Sequence, residues 1–369
     1  MKVAVVGPAY PYRGGIAHYT SLLASHLAAQ HHTRLYGFER QYPNWLFPGR
    51  SQLDPSPAPL VDIDTRRWLI PWWPISWRRV MRDWIAWQPD RIVMQWWVPF
   101  MAPMTAWLLS RARRMGIHST LICHNVLPHE RSRIDTFLGR LALTRADRLI
   151  VHTTAERDRA RELLPNASIE VSPLPTYAQF RSSAWTRESA LAKLNLDGNV
   201  LLFFGLVRPY KGLIDLIDAL PKVLHEIDVK LLVVGEIWGD GDRYRSRVNE
   251  LNLQPHVQFV DRYVSNDEAA MYFAAADLVV LPYREATGSA VVQLAFGLGR
   301  PVVATRAGGM GDVVEDGVTG YLVEPQDVEG LSAAIMRYFR EDRAAVFRAA
   351  VEHRLGRFSW DRLIEIIER

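Results

Sequence analysis

Short apolar runs alternate with longer amphipathic stretches along most of the chain. Fully apolar runs are typical of strands that are covered on both faces of a parallel sheet. The predicted strands are KVAVVG, RIVMQWW, STLICHN, RLIVHT and IEVSPLP in the first half, and NVLLFFG, VKLLVVG, VQFVD, LVVLPY, PVVATR and GYLVEP in the second. The stretches between them repeat apolar residues at helical spacing, so the pattern predicts doubly wound α/β folds.

The alternation is interrupted near residues 175–197, where the chain is polar and irregular enough to be a linker with a short helix. A length of 369 residues also exceeds what one ordinary core accommodates. We therefore predict an N-terminal domain of residues 1–178 and a C-terminal domain of residues 179–355. The amphipathic segment 356–369 is predicted to be a helix that crosses back to the first domain.

Composition narrows the class of protein. Apolar residues make up 49% of the chain and charged residues 23%, which is typical of a globular protein. Cys123 is the single cysteine, which excludes an internal disulfide framework and favours a reducing compartment. The start MKVAVVG has no signal-peptide pattern, so a cytoplasmic location is expected. The uncharged stretch 93–109 contains Pro99 and Pro103, and we predict a strand, a turn and a helix start there.

The charge is distributed unevenly between the halves. Residues 1–180 contain 22 Lys and Arg against 13 Asp and Glu, a net charge of +9. The remainder contains 22 against 27, a net charge of −5. This asymmetry predicts different partners for the two domains.

Ligands of doubly wound sheets bind at the carboxyl ends of the strands, so polar residues that directly follow strands are candidates. In the second half these are Arg208, Lys211, Glu236, Arg262, Tyr263 and Glu285. In the first half they are Arg13, Gly14, Gly15, Gln95, His124, Asn125 and His152. The turns GPAYPYRGGIAHYT and GLVRPYKGLIDL match neither the dinucleotide motif nor the P-loop, which disfavours a dehydrogenase or a P-loop ATPase.

Arg208 and Lys211 stand next to a predicted helix start. Two cations beside a helix N-terminus can hold a diphosphate. The alternative is a pair of solvated surface cations.

Glu285 precedes the small residues ATGS and a predicted helix AVVQLAFGLG, and no further acid occurs for 26 residues. A carboxylate near a phosphate site would repel phosphate, so we expect Glu285 to accept hydrogen bonds from sugar hydroxyls. Gln293 is expected two turns along, roughly 12 Å away at 1.5 Å per residue. The alternative is a surface acid and a mid-helix Gln bonded to a neighbouring carbonyl. The sequence GDGD at 239–242 resembles a metal-binding Asp pair, but we interpret it as a turn and helix cap.

Four segments of the sequence resemble family 4 glycosyltransferases of the GT-B fold. They are GGIAHYTSLLASHLA, FFGLVRPYKGLIDLIDAL, YVSNDEAAMYFAAADLVVLPYREATGSAVVQLAFGLGRPVVAT and GGMGDVVEDGVTGYLVEP. The resemblance implies two Rossmann-like doubly wound domains that face a central cleft. It also implies transfer of a sugar from a nucleotide sugar, with retention of configuration and without a metal or other cofactor.

The family motif is Glu, seven residues, Glu. By resemblance Glu285 contacts the donor sugar, and Gln293 stands at the position that holds the nucleotide ribose. Gln293 departs from the motif, and an amide there is expected to weaken the hold on the nucleotide and to retain activity. Many relatives also have Arg directly after the Gly of the phosphate turn, where this chain has Leu206. The phosphate role is therefore carried over to Arg208 and Lys211.

Other site residues are implied by the same resemblance. The backbone of Gly288, Ser289 and Ala290 is expected to lie against the donor phosphate and sugar. Tyr263 and Val264 are expected to flank the nucleobase. In the first domain, Gly15 is expected near the phosphates and His124 at the donor sugar, although a lone His after a strand is also a common structural residue.

Ten of the thirteen tryptophans fall between Trp45 and Trp107, most densely in 68–87. Trp combined with Arg is typical of membrane-interface elements, so this stretch predicts peripheral contact with the inner face of a membrane and a glycan or lipid-linked acceptor. The alternative is aromatic core packing with an aromatic sugar groove. A UDP or GDP sugar is the expected donor, and no nucleic-acid partner is expected.

Two other functions stay open at this level. One is a catalytically impaired protein of the same fold that binds a sugar nucleotide or a partner, which only Gln293 favours. The other is a different enzyme of this fold, namely a sugar-nucleotide epimerase or a phosphorylase. No Lys of the second half stands in the context that a phosphorylase cofactor needs.

Overall fold

A computed structural model describes residues 1–47, 49–127, 132–239 and 241–369. The chain divides into two compact units. Unit 1 comprises residues 1–54, 58–173 and 360–369, and unit 2 comprises residues 55–57 and 174–359.

Unit 1 contains a seven-stranded parallel sheet in the order β3-β2-β1-β4-β5-β6-β7. Its strands are β1 (Lys2–Val6), β2 (His32–Phe38), β3 (Thr65–Leu69), β4 (Arg91–Trp96), β5 (His118–Cys123), β6 (Arg148–Val151) and β7 (Ile169–Val171). Its connecting helices are α1 (Gly15–Ala28), α2 (Pro74–Trp87), α3 (Ala102–Arg114), α4 (Arg133–Leu143) and α5 (Thr154–Leu163). The central strands are apolar because helices cover both faces of a parallel sheet.

Strands β2 and β3 differ from the apolar strands that the sequence predicts, and they were not predicted. Both carry cations, in HTRLYGF and TRRWL. They lie at one side of the sheet, where β3 is the edge strand and its side chains are only partly covered. An edge position permits polar side chains, so a search for fully apolar runs misses such strands.

Unit 2 contains a six-stranded parallel sheet in the order β10-β9-β8-β11-β12-β13. Its strands are β8 (Asn199–Phe204), β9 (Val229–Val234), β10 (Val257–Val260), β11 (Leu278–Leu281), β12 (Val302–Thr305) and β13 (Gly320–Val323). Its helices are α6 (Arg187–Leu194), α7 (Leu213–Leu224), α8 (Gly241–Glu250), α9 (Asn266–Ala275), α10 (Ala290–Gly297), α11 (Val328–Arg340) and α12 (Ala344–Arg354). Each strand of this unit was predicted, since nearly all are apolar runs inside the core.

The last helix, α13 (Trp360–Glu368), is part of unit 1 and packs on α1. The Trp360 ring stacks on His26, with 5.3 Å between the ring centroids. The Glu368 carboxylate lies 2.6 Å from His31 Nε2, and its backbone carbonyl accepts a hydrogen bond from Arg91. These contacts attach the end of the chain to the sheet of unit 1.

The stretch 93–109 forms the end of β4, a short turn at Pro99–Met101 and the start of α3, as predicted. Across the part of the chain that the structure describes, no helix combines the length and the apolar character needed to span a bilayer.

Candidate active site

The central residues of the proposed donor site follow strands β8 and β11. These strands are neighbours in the sheet of unit 2, although they are far apart in the chain. The strand order changes direction between them, which is where ligands bind in doubly wound sheets. Arg208 and Lys211 lie in the turn after β8, and Glu285 lies in the loop after β11. The fold therefore brings two separately predicted segments to one edge of the sheet.

Backbone hydrogen bonds hold these two segments together. The Tyr210 carbonyl accepts bonds from the Arg284 amide at 2.7 Å and the Glu285 amide at 3.4 Å. The Arg284 guanidinium forms two bonds to the carboxylate of Asp215, in the first turn of α7. Lys211 and Glu285 are therefore held on two loops with a fixed relative position.

Gly212 explains why this connection is so close. It has a left-handed φ of 67°, and a Cβ there would lie 1.9 Å from the Pro282 carbonyl oxygen. Only glycine accommodates both the conformation and the close approach. The start of α7 thus packs directly against the end of β11.

Lys211 is a buried cation, with 9% of its surface exposed. A Cβ added at Gly205 would lie 3.1 Å from Lys211 Nζ and 3.5 Å from Val291 Cγ2, so the ammonium group lies close to the first turn of α10. Burial, together with the charge of Arg208, lowers the pKa of Lys211 from its usual value. Within the described ranges no carboxylate pairs with this ammonium group, so an anionic ligand would stabilise it.

Arg208 is exposed, in contrast to Lys211. Its guanidinium lies 5.3 Å from the centroid of the Trp238 ring and 5.9 Å from that of Tyr210. Trp238 follows β9, and its segment pairs with the turn after β8 through the Val207–Ile237 bridge. We did not predict Trp238 as a site residue, although its position after a strand was a usable signal.

Glu285 is exposed, and the small residues after it lead into α10. The Ser289 hydroxyl caps this helix by accepting a bond from the Val292 amide at 3.4 Å. Gly288 and Ala290 flank this cap and are partly exposed. The helix begins only at Ala290, so its amide groups are directed toward the loop that carries Glu285.

Gln293 lies in the first turn of α10, and the expectation that it stands two turns along was wrong. The reason is that most of the residues between Glu285 and Gln293 form a loop. The Gln293 side chain is fully buried, and neither amide atom has a hydrogen-bond partner among the residues that the structure describes. A buried amide without partners costs about 1–3 kcal/mol, which a hydroxyl-bearing ligand could offset.

Tyr263 and Val264 lie in the loop between β10 and α9. Val264 is buried and Tyr263 is half-buried. Strand β10 is the sheet edge, and β9 separates it from β8. These two residues are therefore farther along the sheet than Lys211 and Glu285.

In unit 1, Gly15 begins α1 after a turn in which Gly14 has a φ of 106°. The turn follows β1, and the strand order changes direction between β1 and β4. Gln95 lies near the end of β4, and His124 directly follows the neighbouring strand β5. His124 Nε2 lies 2.8 Å from Gln95 Oε1.

Aromatic rings surround His124. The Tyr19 ring meets it edge-on at 4.8 Å between centroids, and the His152 ring lies 5.1 Å away. Burial, followed by the neighbouring His152, holds the pKa of His124 well below its usual range. Burial likewise lowers the pKa of His152 to about 4, and its Nδ1 lies 2.9 Å from the Ser172 carbonyl oxygen. Both imidazoles are therefore neutral at pH 7.

Tyr19 is fully buried on α1. Its contact with His124 was missed, because ring contacts between distant segments leave no signal in one sequence.

The described ranges contain no group of three or more His, Cys, Asp or Glu side chains arranged to hold a metal ion. Asp240 of the GDGD segment lies outside those ranges, and α8 begins at Gly241.

Comparisons with known proteins follow the same division of the chain. Residues 14–175 match the family model described as Glycosyl transferase 4-like domain, and residues 198–341 match the model described as Glycosyl transferases group 1. A D-inositol 3-phosphate glycosyltransferase from Mycobacterium leprae (strain Br4923) is 35% identical over 231 residues, which are 58% of this chain and 52% of the relative. The chain thus spans about half the length of the curated relatives it matches.

Solved structures resemble the whole chain. Sucrose-phosphate synthase from Thermosynechococcus elongatus has a TM-score of 0.75 at 20% identity, covering 98% of this chain and 96% of its own. HepE from Anabaena, in complex with UDP, has a TM-score of 0.75 at 19% identity, covering 100% and 98%. At such identities the likeness shows the fold. The two family models together cover most of the sequence, and the chain therefore belongs to the family 4 glycosyltransferases and has their GT-B fold.

Proposed function

We propose that this protein is a retaining, metal-independent glycosyltransferase that transfers a sugar from a nucleotide sugar to an acceptor hydroxyl. One observation carries the proposal. The buried Lys211 ammonium lies beside the first turn of α10, and the Tyr210 carbonyl ties its turn to the loop of Glu285. A cation at a helix N-terminus suits a diphosphate, and a carboxylate next to it suits sugar hydroxyls.

The same residues support a mechanism. Lys211, Arg208 and the α10 amide groups stabilise the leaving diphosphate in the role that a metal ion has in other transferases. Glu285 orients the sugar through its hydroxyls. The acceptor hydroxyl attacks the face from which the diphosphate leaves, and a donor phosphate oxygen takes its proton. His124, neutral and bonded to Gln95, faces the donor sugar in this scheme.

The donor is proposed to be a UDP sugar or, second, a GDP sugar. HepE was solved in complex with UDP, and its structure resembles this chain over its full length. Tyr263 and Val264 are proposed to flank the base. The acceptor is proposed to be a glycan or a lipid-linked saccharide of the cell envelope, and the Trp- and Arg-rich stretch 68–87 is proposed to contact the inner face of the membrane.

Thermal unfolding of the purified protein with UDP, GDP, ADP and their sugars tests the proposal. A ligand at 100 times its dissociation constant stabilises the folded state by about 2.7 kcal/mol. We expect one nucleotide to raise the melting temperature equally with and without a chelator. The Lys211→Met variant should lose most of this shift, whereas replacement of exposed Lys193 by Met, the matched control, should keep it.

Turnover assays separate the alternatives. Release of nucleoside diphosphate that requires an acceptor supports the transferase. Nucleotide binding without release would favour the impaired protein. Conversion of the nucleotide sugar in the absence of an acceptor would favour an epimerase.

A further inference from the structure

The surface between α2 and α3 of unit 1 contains a groove of about 400 Å³. Four arginines line it, two from each helix, and no acidic residue of the described ranges does. Apolar side chains, among them Ile85 and Met115, complete its walls. We call it the arginine groove, and its guanidinium groups belong to Arg78, Arg82, Arg111 and Arg114.

None of these four guanidinium groups forms a hydrogen bond or ion pair with any residue that the structure describes. Other arginines of unit 1 do find partners. Arg34 and Arg66 both bond to Asp83, the one acid of α2, and the Asp83 carboxylate also accepts a bond from Tyr36. The only carboxylate of α2 is therefore already occupied and does not neutralise the groove.

Apolar residues share the exposed side of α2 with the arginines. Ile75, Arg78, Arg82 and Ile85 are spaced by three, four and three positions, so they form one stripe of the helix. Ile75 is 60% exposed and Ile85 is 58% exposed. Trp72 and Trp73, directly before the helix, are 39% and 52% exposed.

This combination fits one kind of partner. A solvated helix face favours charged residues alone, whereas a membrane interface favours cations interleaved with Trp and aliphatic side chains. Arginine bonds phosphate oxygens with two parallel donors, so four unpaired guanidinium groups suit phosphate-bearing head groups. The Arg111 guanidinium also lies 5.4 Å from the centroid of the Trp107 ring, which keeps an apolar surface next to the charge.

We propose that the arginine groove binds the phosphate head groups of an anionic bilayer, with Ile75, Ile85 and the Trp72–Trp73 pair entering the interface. The inference sharpens the membrane contact of the proposed function and rests on it for its biological meaning. It names a surface that includes α3, which lies outside the Trp- and Arg-rich stretch. Binding to vesicles requires neither donor nor acceptor, so it is measured independently of transfer.

A flotation assay tests the proposal. It uses phosphatidylcholine vesicles with and without about 30% phosphatidylglycerol. We expect binding only with phosphatidylglycerol, and weaker binding at high salt because charges are screened. Each cation near an anionic membrane surface raises the partition coefficient onto the membrane about fivefold. The variant Arg78→Gln, Arg82→Gln, Arg111→Gln, Arg114→Gln should therefore bind roughly 600-fold less.

A matched variant removes the same number of charges elsewhere on unit 1. It carries Gln at Arg133, Arg140, Arg145 and Arg161, which are exposed and do not line the groove. Equal losses in the two variants, or wild-type binding to vesicles without phosphatidylglycerol, would overturn the proposal. A competition experiment adds about 10 mM inorganic phosphate at matched ionic strength. Loss of vesicle binding under these conditions would also overturn the proposal, in favour of a soluble phosphate ligand.

Two readouts separate this inference from the proposed function. The groove variant should keep the wild-type melting temperature and nucleotide shift, because the groove lies outside the donor site. Vesicle binding by a protein that binds no nucleotide would leave the groove proposal standing and would count against the transferase.

Discussion

The strand-end sites of both units bury nitrogen bases, but the bases are of different kinds. In unit 1, His124 and His152 lie among aromatic rings, and burial lowers both pKa values from 6.5. In unit 2, burial lowers the pKa of Lys211 from 10.5. Burial keeps the histidines neutral at pH 7, whereas the pKa of a lysine is lowered from a much higher usual value.

The difference follows from the neighbours of each base. His124 bonds to the neutral amide of Gln95, and edge contacts with Tyr19 need no charge. Lys211 lies at the first turn of α10, where the helix dipole is also positive. The strand-end site of unit 2 therefore contains positive charge that an anionic ligand would stabilise, whereas the strand-end site of unit 1 contains neutral polar and aromatic side chains.

The strongest test of this contrast is Lys211→Met. Removing one preorganised donor to a leaving group typically lowers kcat by about 10²–10³. The buried ammonium is unpaired in the described ranges and destabilises the unliganded fold, so the variant should unfold at a higher temperature without nucleotide. Steady-state kinetics and thermal unfolding measure the two effects. A variant with normal turnover would remove Lys211 from the mechanism.

Glu285→Ala should lower turnover by at least about a hundredfold, because the donor sugar loses its positioning carboxylate. The matched control is Glu352→Ala, an exposed acid on α12, which should retain full activity. Release of nucleoside diphosphate in the presence of acceptor is the measurement. Near-normal turnover of Glu285→Ala would show that another group positions the sugar.

These two predictions concern residues that were already candidates from the sequence, and the position of the two residues in the fold explains why. Lys211 and Glu285 follow apolar strands, and the carboxyl ends of parallel strands meet at one sheet edge. The sequence pattern could not predict where α10 begins, because hydrophobic periodicity locates helix starts only within a few residues. The residues before Ala290 form a loop, and Gln293 therefore lies in the first turn of α10.

Contacts between distant segments were also beyond the sequence. The ring contact between Tyr19 and His124 joins residues about a hundred positions apart in the chain. The arginine groove was also not predictable, because it is formed by α2 and the end of α3, which are separate segments of the chain. Strands β2 and β3 were missed because their cations break the apolar pattern at the sheet edge.

The neutral state of the unit 1 histidines predicts a loss of stability in acid. The folded-state pKa of His152 is about 4, below the unfolded value of 6.5. Below pH 6.5 the unfolded chain therefore takes up a proton that the folded chain does not, and stability falls as the pH falls toward 4. The loss from His152 alone is about 3 kcal/mol across this window.

His152→Asn should flatten this dependence, because the Asn amide can still donate to the Ser172 carbonyl and does not titrate. The slope of unfolding free energy against pH should decrease by about 1.4 kcal/mol per pH unit between 4 and 6.5. Urea unfolding at several pH values measures it. The same substitution at exposed His353 is the control and should leave the wild-type slope unchanged. A wild-type slope in His152→Asn would contradict the prediction, because it would mean that the buried ring is protonated in the folded state.

The smallest predicted effect concerns Gln293, the neutral group of unit 2. Its amide has no hydrogen-bond partner in the described ranges, so Gln293→Met should raise the melting temperature of the unliganded protein. If the amide holds the nucleotide ribose, the same variant should weaken nucleotide binding about tenfold, the equivalent of one lost hydrogen bond. Calorimetric titration with the nucleotide that the thermal unfolding assay selects measures the affinity. Gln293→Glu should lower the melting temperature of the unliganded protein, because an unpaired buried carboxylate destabilises the fold. A gain in stability with unchanged nucleotide affinity in Gln293→Met would place Gln293 in the core alone, and positive charge rather than ribose contact would then account for the donor preference of unit 2.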